Sequence, residues 1–503
     1  MERTKLLLDR NYTVASIGKR LYSTFVEHLG RCVYEGIYEP GHPTADGDGF
    51  REDVRALVRE MNFGALRYPG GNFVSGYNWL DGIGPREKRP KRLDYAWFSV
   101  EPNEIGIDEF CDYAKSVGSE VMYAVNMGTG TPQEAGHVVE YANFPGGTHY
   151  SDLRIRNGHR DPHGIKLWCV GNEMDGPWQT CHLDARDYGK KALETAKIMK
   201  WVDPSIELAV CGSASSTLPT YPEWDRVVLE YVYDKVDYIS LHRYYENTGN
   251  ELDFLASFHE MDGFIHTVAA TADYVKAFRR SKKTMMLSFD EWNIWYQART
   301  SLKQWEFAPH ILEDNYSLLD ALALGGLLCT LINNSDRVRI ACLAQMVNVI
   351  APIFTEKGGR AIRQTTFFPF SMAANNCLGT VLRAVGKTPS LQSAAYGEVS
   401  AVPNAAVWNE EKREINVICA NISGERQCLE FDMRSFGKAT LTEHRFLSGD
   451  LSATNTPEFP DRVKPASAKC DGTASGIREL TLGPKSFNLL KFALTGFPPG
   501  RDS

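Results

Sequence analysis

No run of this sequence reaches the roughly 18 consecutive apolar residues that a membrane-spanning helix needs. The N-terminal stretch MERTKLLLDRNYTV offers only a patch of leucines before Asp9 and Arg10, too little for the apolar segment of a secretory signal, so export by a signal of its own is not expected. The 11 cysteines are odd in number, scattered and never spaced C-x-x-C, which fits reduced thiols and neither a disulfide framework nor a zinc site. A cytoplasmic protein is expected. Positive charge is not in excess either: 55 Lys and Arg stand against 63 Asp and Glu, a net charge of −8, with the two signs interspersed. A nucleic-acid binder concentrates positive charge on one face, so neither a nucleic acid nor a membrane is an expected partner. The basic cluster PREKRPKR at 85–92 is the exception, and it reads as a solvated loop.

Cofactor motifs are incomplete. GTGT at 128–131 has neither the Lys of a P-loop nor the third Gly of a dinucleotide fingerprint. ADGDGF at 45–50 lacks the central Gly and the closing Glu of a calcium loop. His159 and His163 have the spacing of metal ligands on one helix face, but Pro162 interrupts any helix there. No cofactor and no metal is implied.

What the chain does have is length and pattern. With 503 residues, 43% hydrophobic and 23% charged, it can bury a large core and hold more than one domain. Short β-rich apolar runs alternate with stretches of helical periodicity. The runs are RLYSTFVEH (20–28), FGALRYPGGN (63–72), EVMYAVNMG (120–128), IKLWCVGNE (165–173), IELAVCGS (206–213), VDYISLHRYY (236–245), TMMLSFDEWN (284–293) and RIACLAQMVN (339–348). Between them, FREDVRALVREM places Val54, Leu57, Val58 and Met61 on one face, and a helix after Asp184 as N-cap stops before Pro204. Eight such strands, each followed by a helix, predict a (β/α)8 barrel over residues 18–384. From 385 to 503 helical patterns give way to short alternating runs with Gly, Asn, Asp and Pro turns. These predict a β-sandwich, or jelly roll, completed by N-terminal strands from residues 1–17.

A barrel gathers its active site at the C-terminal ends of its strands. Glu27, His28, Arg67, Asn72, Asn126, Asn172, Glu173, Ser213, His242, Tyr244, Glu291, Gln345 and Asn348 all stand near such ends. Glu173 closes the fourth run and Glu291 stands near the end of the seventh, so the two carboxylates, remote in the chain, can face each other across one pocket. A retaining glycosidase holds such a pair about 5 to 5.5 Å apart, one as acid and one as nucleophile. A general acid alone supplies about 10² to 10⁴ in rate, well short of what enzymes commonly achieve, so a second carboxylate acting covalently would carry much of the rest. Asn172 is placed to bond a sugar hydroxyl, Trp178 to form a wall, and Tyr244 to bond Glu291 and keep it ionised. His242 reads either as a core histidine or as catalytic support.

FVEHLGRCVYEGIY, RYPGGNFVSGYNW, WCVGNEMDGPWQ, SLHRYY and SFDEWNIWY, in this order along nearly the whole chain, resemble the α-L-arabinofuranosidases of glycoside hydrolase family 51. The resemblance implies a retaining, metal-independent enzyme that releases terminal arabinofuranose from arabinan, arabinoxylan and their oligosaccharides. It also implies Glu173 as acid/base and Glu291 as nucleophile. Glu27, Arg67, Asn72, Asn172, Tyr244 and Gln345 would line the arabinose subsite, with Trp97 and Trp295 as aromatic walls, and the chain would assemble as a homo-hexamer. Arg243 departs from the family pattern, which leads to Gln there; strand alternation points it away from His242 and Tyr244, toward an outer ion pair. Two other readings stay open: an endo-glucanase or xylosidase on the same barrel, and a sugar-binding protein without turnover.

Overall fold

The computed structural model of the chain describes residues 3–297, 305–470 and 472–495. Eight parallel strands close into a barrel: β1 (Ser23–Phe25), β2 (Ala65–Tyr68), β3 (Glu120–Ala124), β4 (Leu167–Val170), β5 (Glu207–Val210), β6 (Tyr238–Tyr245), β7 (Met286–Ile294) and β8 (Val338–Leu343). The helices that follow them are α1 (Glu52–Met61), α2 (Ile107–Ser116), α3 (Pro132–Asn143), α4 (Ala185–Val202), α5 (Glu223–Val232), α6 (Ser257–Arg279), α7 (Leu318–Asn333) and α8 (Phe367–Asn376). Val54, Leu57, Val58 and Met61 make the buried face of α1. The Asp184 side chain caps α4 by accepting from the N–H groups of Arg186 and Asp187.

Most barrel strands are shorter than their apolar runs, and the difference matters for the site. β4 ends at Val170 because Gly171 takes φ +93°, a conformation only glycine adopts without strain, and turns the chain off the ladder. Glu173 follows at φ +41° in a tight turn, so it caps the strand from the loop and does not belong to it. Glu27, Asn72 and Gln345 likewise lie just past β1, β2 and β8. His242, Tyr244 and Glu291 stay within β6 and β7, which run on to Tyr245 and Ile294.

The second layer is a β-sandwich. One sheet orders Thr13–Ile17, Gly379–Leu382, Asn404–Asn409, Glu414–Asn421, Ser486–Thr495, Lys438–Leu447 and Ala466–Ser467, with Ala474–Ser475 beside Lys438–Leu447. The other joins Arg3–Leu7, Gln427–Asp432 and Ile477–Leu482. N-terminal residues therefore take part in both sheets, and the larger sheet takes in Gly379–Leu382, ahead of residue 385. Leu6, Phe431, Val417 and Phe492 pack between the sheets. Strand Glu414–Asn421 reads as almost continuously apolar because both its faces are covered: Ile415, Val417 and Cys419 face the smaller sheet, Ile418 and Ala420 the barrel side. Helix α7, LLDALALGGLLCTLIN, is apolar all round for the same reason, being wedged between barrel and sheet. At Gly325 a Cβ would stand 2.4 Å from the Phe487 ring, so the two layers meet at van der Waals contact through a missing side chain.

Candidate active site

The C-terminal mouth of the barrel opens on a cavity of about 670 Å³. Glu27, Asn72, Trp97, Glu173, Tyr244, Glu291, Trp295 and Gln345 line it, so eight of the expected site residues come together from six strand ends and two loops. Arg67 and Asn172 sit immediately behind this wall. Arg67 is fully buried, donates from Nη1 to Glu291 Oε1 at 2.7 Å and from Nη2 to Asn172 Oδ1 at 2.7 Å, and lies over the Phe25 ring. Its charge is thus answered by one carboxylate and one amide, as burial of a guanidinium requires. The glycines of YPGGN are needed for close approach: a Cβ on Gly71 would press on Glu27 Oε2 and Glu291 Oε1, both at 3.1 Å.

The two central glutamates are set differently. Glu173 Oε2 accepts from the Trp178 indole N–H at 2.6 Å and Oε1 from His242 Nδ1 at 2.9 Å. Glu291 Oε1 accepts from Arg67, and Oε2 from the Tyr244 hydroxyl at 2.8 Å. One oxygen of each glutamate lies within 4.8 Å of one of the other. Burial pushes the Glu291 carboxyl up, the His242 cation pulls it down, Glu173 raises it again and Arg67 lowers it, leaving it above the ordinary carboxylate value. Its nearest partners are donors, so the form this shell fits is the carboxylate.

Glu27 closes the far side. It accepts from the Phe73 backbone N–H at 2.9 Å, the Trp97 indole at 2.8 Å and the Gln345 amide at 3.1 Å. Burial lifts its carboxyl to about 8, against the pull of the Phe73 N–H and with a push from Glu291. Trp295 packs edge-on against Tyr244, ring centroids 5.2 Å apart, and its buried indole N–H has no hydrogen-bond partner among the described residues.

His242 is the hub of the site. Its Nδ1 bonds Glu173, its Nε2 bonds Asp290 Oδ1 at 2.9 Å, and Nδ1 also stands 3.6 Å from Glu291 Oε2. Burial disfavours charge on the ring, but Glu291, Asp290 and Glu173 outweigh it and lift the imidazole to about 10. His242 is therefore a cation at neutral pH, with both ring nitrogens donating and no lone pair left for a metal. Asp290 was missed because strict alternation sends neighbours Asp290 and Glu291 to opposite faces. Register shifts between Ser240 and His242 and between Phe289 and Trp292 break that alternation and let both acids reach one imidazole. Gln179, which accepts from Asn172 at 3.4 Å and also bonds Ser75, carried no signal in the sequence beyond its place after Trp178.

Arg243 pairs with Glu260 of α6 at 3.3 Å and lies over the Tyr245 ring, the expected outer ion pair, yet it also lines the cavity. His159 and His163 do meet, on a loop and not a helix, with ring centroids 4.9 Å apart; His163 bonds Asp108 at 2.7 Å, which in turn accepts from Tyr141. His28, Ser213 and Asn348 are committed elsewhere: His28 to Glu101 and Tyr68, Ser213 to Asp225, Asn348 to Thr355. Asn126 bonds Thr129 and the Tyr77 carbonyl.

The same chain matches two domain families along its length: the alpha-L-arabinofuranosidase 1 domain over residues 57–264 and the alpha-L-arabinofuranosidase C-terminal domain over 290–486. It is 51% identical over 492 residues, 97% of this chain and 98% of the relative, to a Halalkalibacterium halodurans protein named intracellular exo-alpha-(1->5)-L-arabinofuranosidase. It is 47% identical over 501 residues, covering 98% and 99%, to a protein of the same name from Acetivibrio thermocellus. A solved family 51 alpha-L-arabinofuranosidase from Bifidobacterium longum superimposes with a TM-score of 0.94 at 41% identity, over 98% of this chain and 100% of that one. A bifunctional glucanase-xylanase, at 12% identity and a TM-score of 0.60, shares the fold alone. With its barrel, its paired glutamates and these full-length likenesses, the chain belongs to the α-L-arabinofuranosidases of glycoside hydrolase family 51.

Proposed function

We propose that this enzyme removes terminal, non-reducing α-L-arabinofuranosyl residues from arabinan- and arabinoxylan-derived oligosaccharides by double displacement. Glu291 attacks the anomeric carbon and forms a covalent ester; the glycosidic bond breaks, and its electron pair stays on the leaving oxygen, which takes the proton of Glu173. Glu173, now a base, removes a proton from water; the water oxygen bonds the anomeric carbon and the ester bond to Glu291 breaks, releasing arabinose with its configuration retained. The observation that carries this reading is the closeness of the two carboxyl groups, with oxygens within 4.8 Å. That spacing suits retaining enzymes, at about 5 to 5.5 Å, and leaves no room for the water an inverting pair places between its carboxyls.

Glu27, Asn72, Asn172, Tyr244 and Gln345 hold the arabinose, with Arg67 anchoring Glu291 and Asn172. Trp97 and Trp295 wall the ring. A cavity ending on Glu27 and Gln345 favours a terminal furanose over the open groove of an endo-glucanase or xylosidase, and the intact glutamate pair speaks against a binding protein. The reaction uses the two glutamates and calls on no metal or cofactor. A cytoplasmic location draws support from relatives named intracellular, and a homo-hexamer is tested by light scattering on the purified protein. The decisive experiment is proton NMR of the first sugar released from 4-nitrophenyl α-L-arabinofuranoside: the α-anomer appears first, and a first-formed β-anomer excludes the mechanism.

A further inference from the structure

The loop that leads into β4, NGHRDPHGI at 157–165, folds two imidazoles onto each other. Gly158 at φ +105° and Gly164 at φ +69° turn the chain at either end, conformations that glycine adopts without strain. His159 and His163 therefore meet although Pro162 forbids the helix that their spacing suits. A buried arginine fixes the turn. Arg154 donates from Nε to the His159 carbonyl at 3.1 Å and from Nη2 to the Arg160 carbonyl at 3.3 Å, while the His163 N–H donates to the Ala142 carbonyl at 2.8 Å. Both rings stand beside Asp108 of α2: one ligand atom from each of Asp108, His159 and His163 lies within 4.8 Å of the other two.

We propose that Asp108, His159 and His163 form a binding site for a divalent transition-metal ion of the zinc class, separate from the catalytic centre, which ties the loop before β4 to α2. The inference does not depend on the glycosidase reaction.

The donor set is the first support. Two imidazole nitrogens and a carboxylate oxygen suit zinc, whereas calcium and magnesium take oxygen ligands. The carboxylate is also oriented in advance. Asp108 Oδ1 is bonded to His163 Nε2 at 2.7 Å, Oδ2 accepts from the Tyr141 hydroxyl at 2.7 Å, and the Tyr141 oxygen accepts from the Asn157 amide at 3.0 Å. An ion takes the place of the proton between His163 Nε2 and Asp108 Oδ1; that proton leaves to solvent and the nitrogen lone pair goes to the metal. Donors around tetrahedral zinc stand roughly 3.3 Å apart, so the cluster has to close by about 1 Å. His159 is the member placed to move, since its side chain is a quarter exposed and its Nδ1 stands 4.0 Å from Asp112, beyond hydrogen-bond reach. Asp112, one turn along α2 from Asp108, is in turn placed to supply a fourth ligand. Entry is open as well. His159, His163 and Asp112 line a cavity of about 740 Å³ that shares no lining residue with the catalytic one. Ile165 and Lys166 on its wall immediately precede β4, whereas Glu173 follows the other end of that strand.

The test uses the full chain, stripped with chelator, and zinc chloride. Calorimetry is expected to read one zinc ion per chain with a micromolar or tighter Kd. The melting temperature should rise by roughly 2 to 3 °C at a free zinc concentration of about 100 Kd. Cobalt(II) should give the visible absorption bands of a tetrahedral site. His159→Ala, a change at a partly exposed position, is expected to weaken zinc by about a hundredfold or more and to abolish the cobalt bands; Tyr141→Phe, which removes the hydrogen bond that orients Asp108, should weaken it about ten- to hundredfold. Turnover of 4-nitrophenyl α-L-arabinofuranoside should be the same in native and His159→Ala protein, with or without one equivalent of zinc. Absence of binding to the native chain overturns the proposal, as does equal zinc affinity in native and His159→Ala protein. Loss of turnover with the first equivalent of zinc overturns it too, because the ion would then sit on the catalytic carboxylates.

Discussion

The Nδ1–H of His242 donates to Glu173 Oε1 at 2.9 Å, and the same nitrogen stands 3.6 Å from Glu291 Oε2. One buried cation thus touches both carboxyl groups of the reaction, while Asp290 holds its other side at 2.9 Å. As charge moves from Glu291 to Glu173 during the first displacement, this cation faces a negative group at each stage. It balances the pair without giving up its own proton.

The raised imidazole has a consequence for stability. A histidine lifted from 6.5 to about 10 on folding contributes stabilisation that is complete below pH 6.5 and is lost as pH rises through 10. Glu27, lifted from 4.5 to about 8 by burial, binds a proton in the folded state that the unfolded chain has released, so it too loses stabilisation from about pH 4.5 to 8. The melting temperature is therefore expected to fall from pH 6 to 10. His242→Gln removes the cation and leaves buried carboxylates unanswered, a cost of about 3 to 5 kcal/mol near pH 6. The gap between variant and native melting temperatures should narrow as pH approaches 10; a gap independent of pH refutes the charged imidazole.

Exchanging either glutamate separates the two half-reactions. Glu291→Ala is expected to lose a factor of about 10⁴ or more in kcat on every substrate, since no covalent intermediate can form. Glu173→Ala loses about 10² to 10⁴ on arabino-oligosaccharides, whose leaving alcohols need a proton. It loses much less in the first step on 4-nitrophenyl α-L-arabinofuranoside, whose phenolate departs unaided. Azide should restore turnover to the Glu173→Ala protein as α-arabinofuranosyl azide, identified by mass and NMR. Rescue of the Glu291 variant as the same α-azide would not fit the assignment.

Asp290 touches no substrate and acts through His242, so its test must separate positioning from packing. Asp290→Asn keeps an acceptor for Nε2 but removes a charge that lifts the imidazole. Roughly tenfold to hundredfold lower kcat is expected, with KM nearly unchanged and the alkaline limb of the pH profile moved to lower pH. A uniform loss with an unmoved profile would mean that Asp290 only fills space.

Much of this site can be read from the chain alone, for a physical reason. Glu173 and Glu291 each follow or end an apolar run, and a barrel sends such positions to one mouth whatever lies between them. Arg67 was readable for a similar reason, since a buried guanidinium demands an acid, and the structure supplies Glu291. Asp290 was not, because it depends on a local break in a period-two pattern that the sequence does not mark. The strand limits were overread at Glu173 because Gly171 looks like part of an apolar run, while its positive φ decides where the ladder stops.

The joint between barrel and sandwich gives the last prediction. Gly325 sits mid-helix in α7, where glycine costs about 1 kcal/mol relative to alanine, so a packing reason must hold it there. The Phe487 ring occupies the place of its missing side chain, with Cδ2 at 2.4 Å from where a Cβ would stand. Gly325→Ala therefore gains helix propensity but forces α7 away from the sheet strand Ser486–Thr495. Overpacking of a buried contact costs about 1 to 3 kcal/mol, so the net expectation is a protein destabilised by up to about 2 kcal/mol. The double variant Gly325→Ala, Phe487→Leu should recover part of the loss, because the smaller residue vacates the ring's space while keeping an apolar contact. Chemical denaturation of the two variants checks this, and a Gly325→Ala protein more stable than the native one would show that the ring moves aside at no cost.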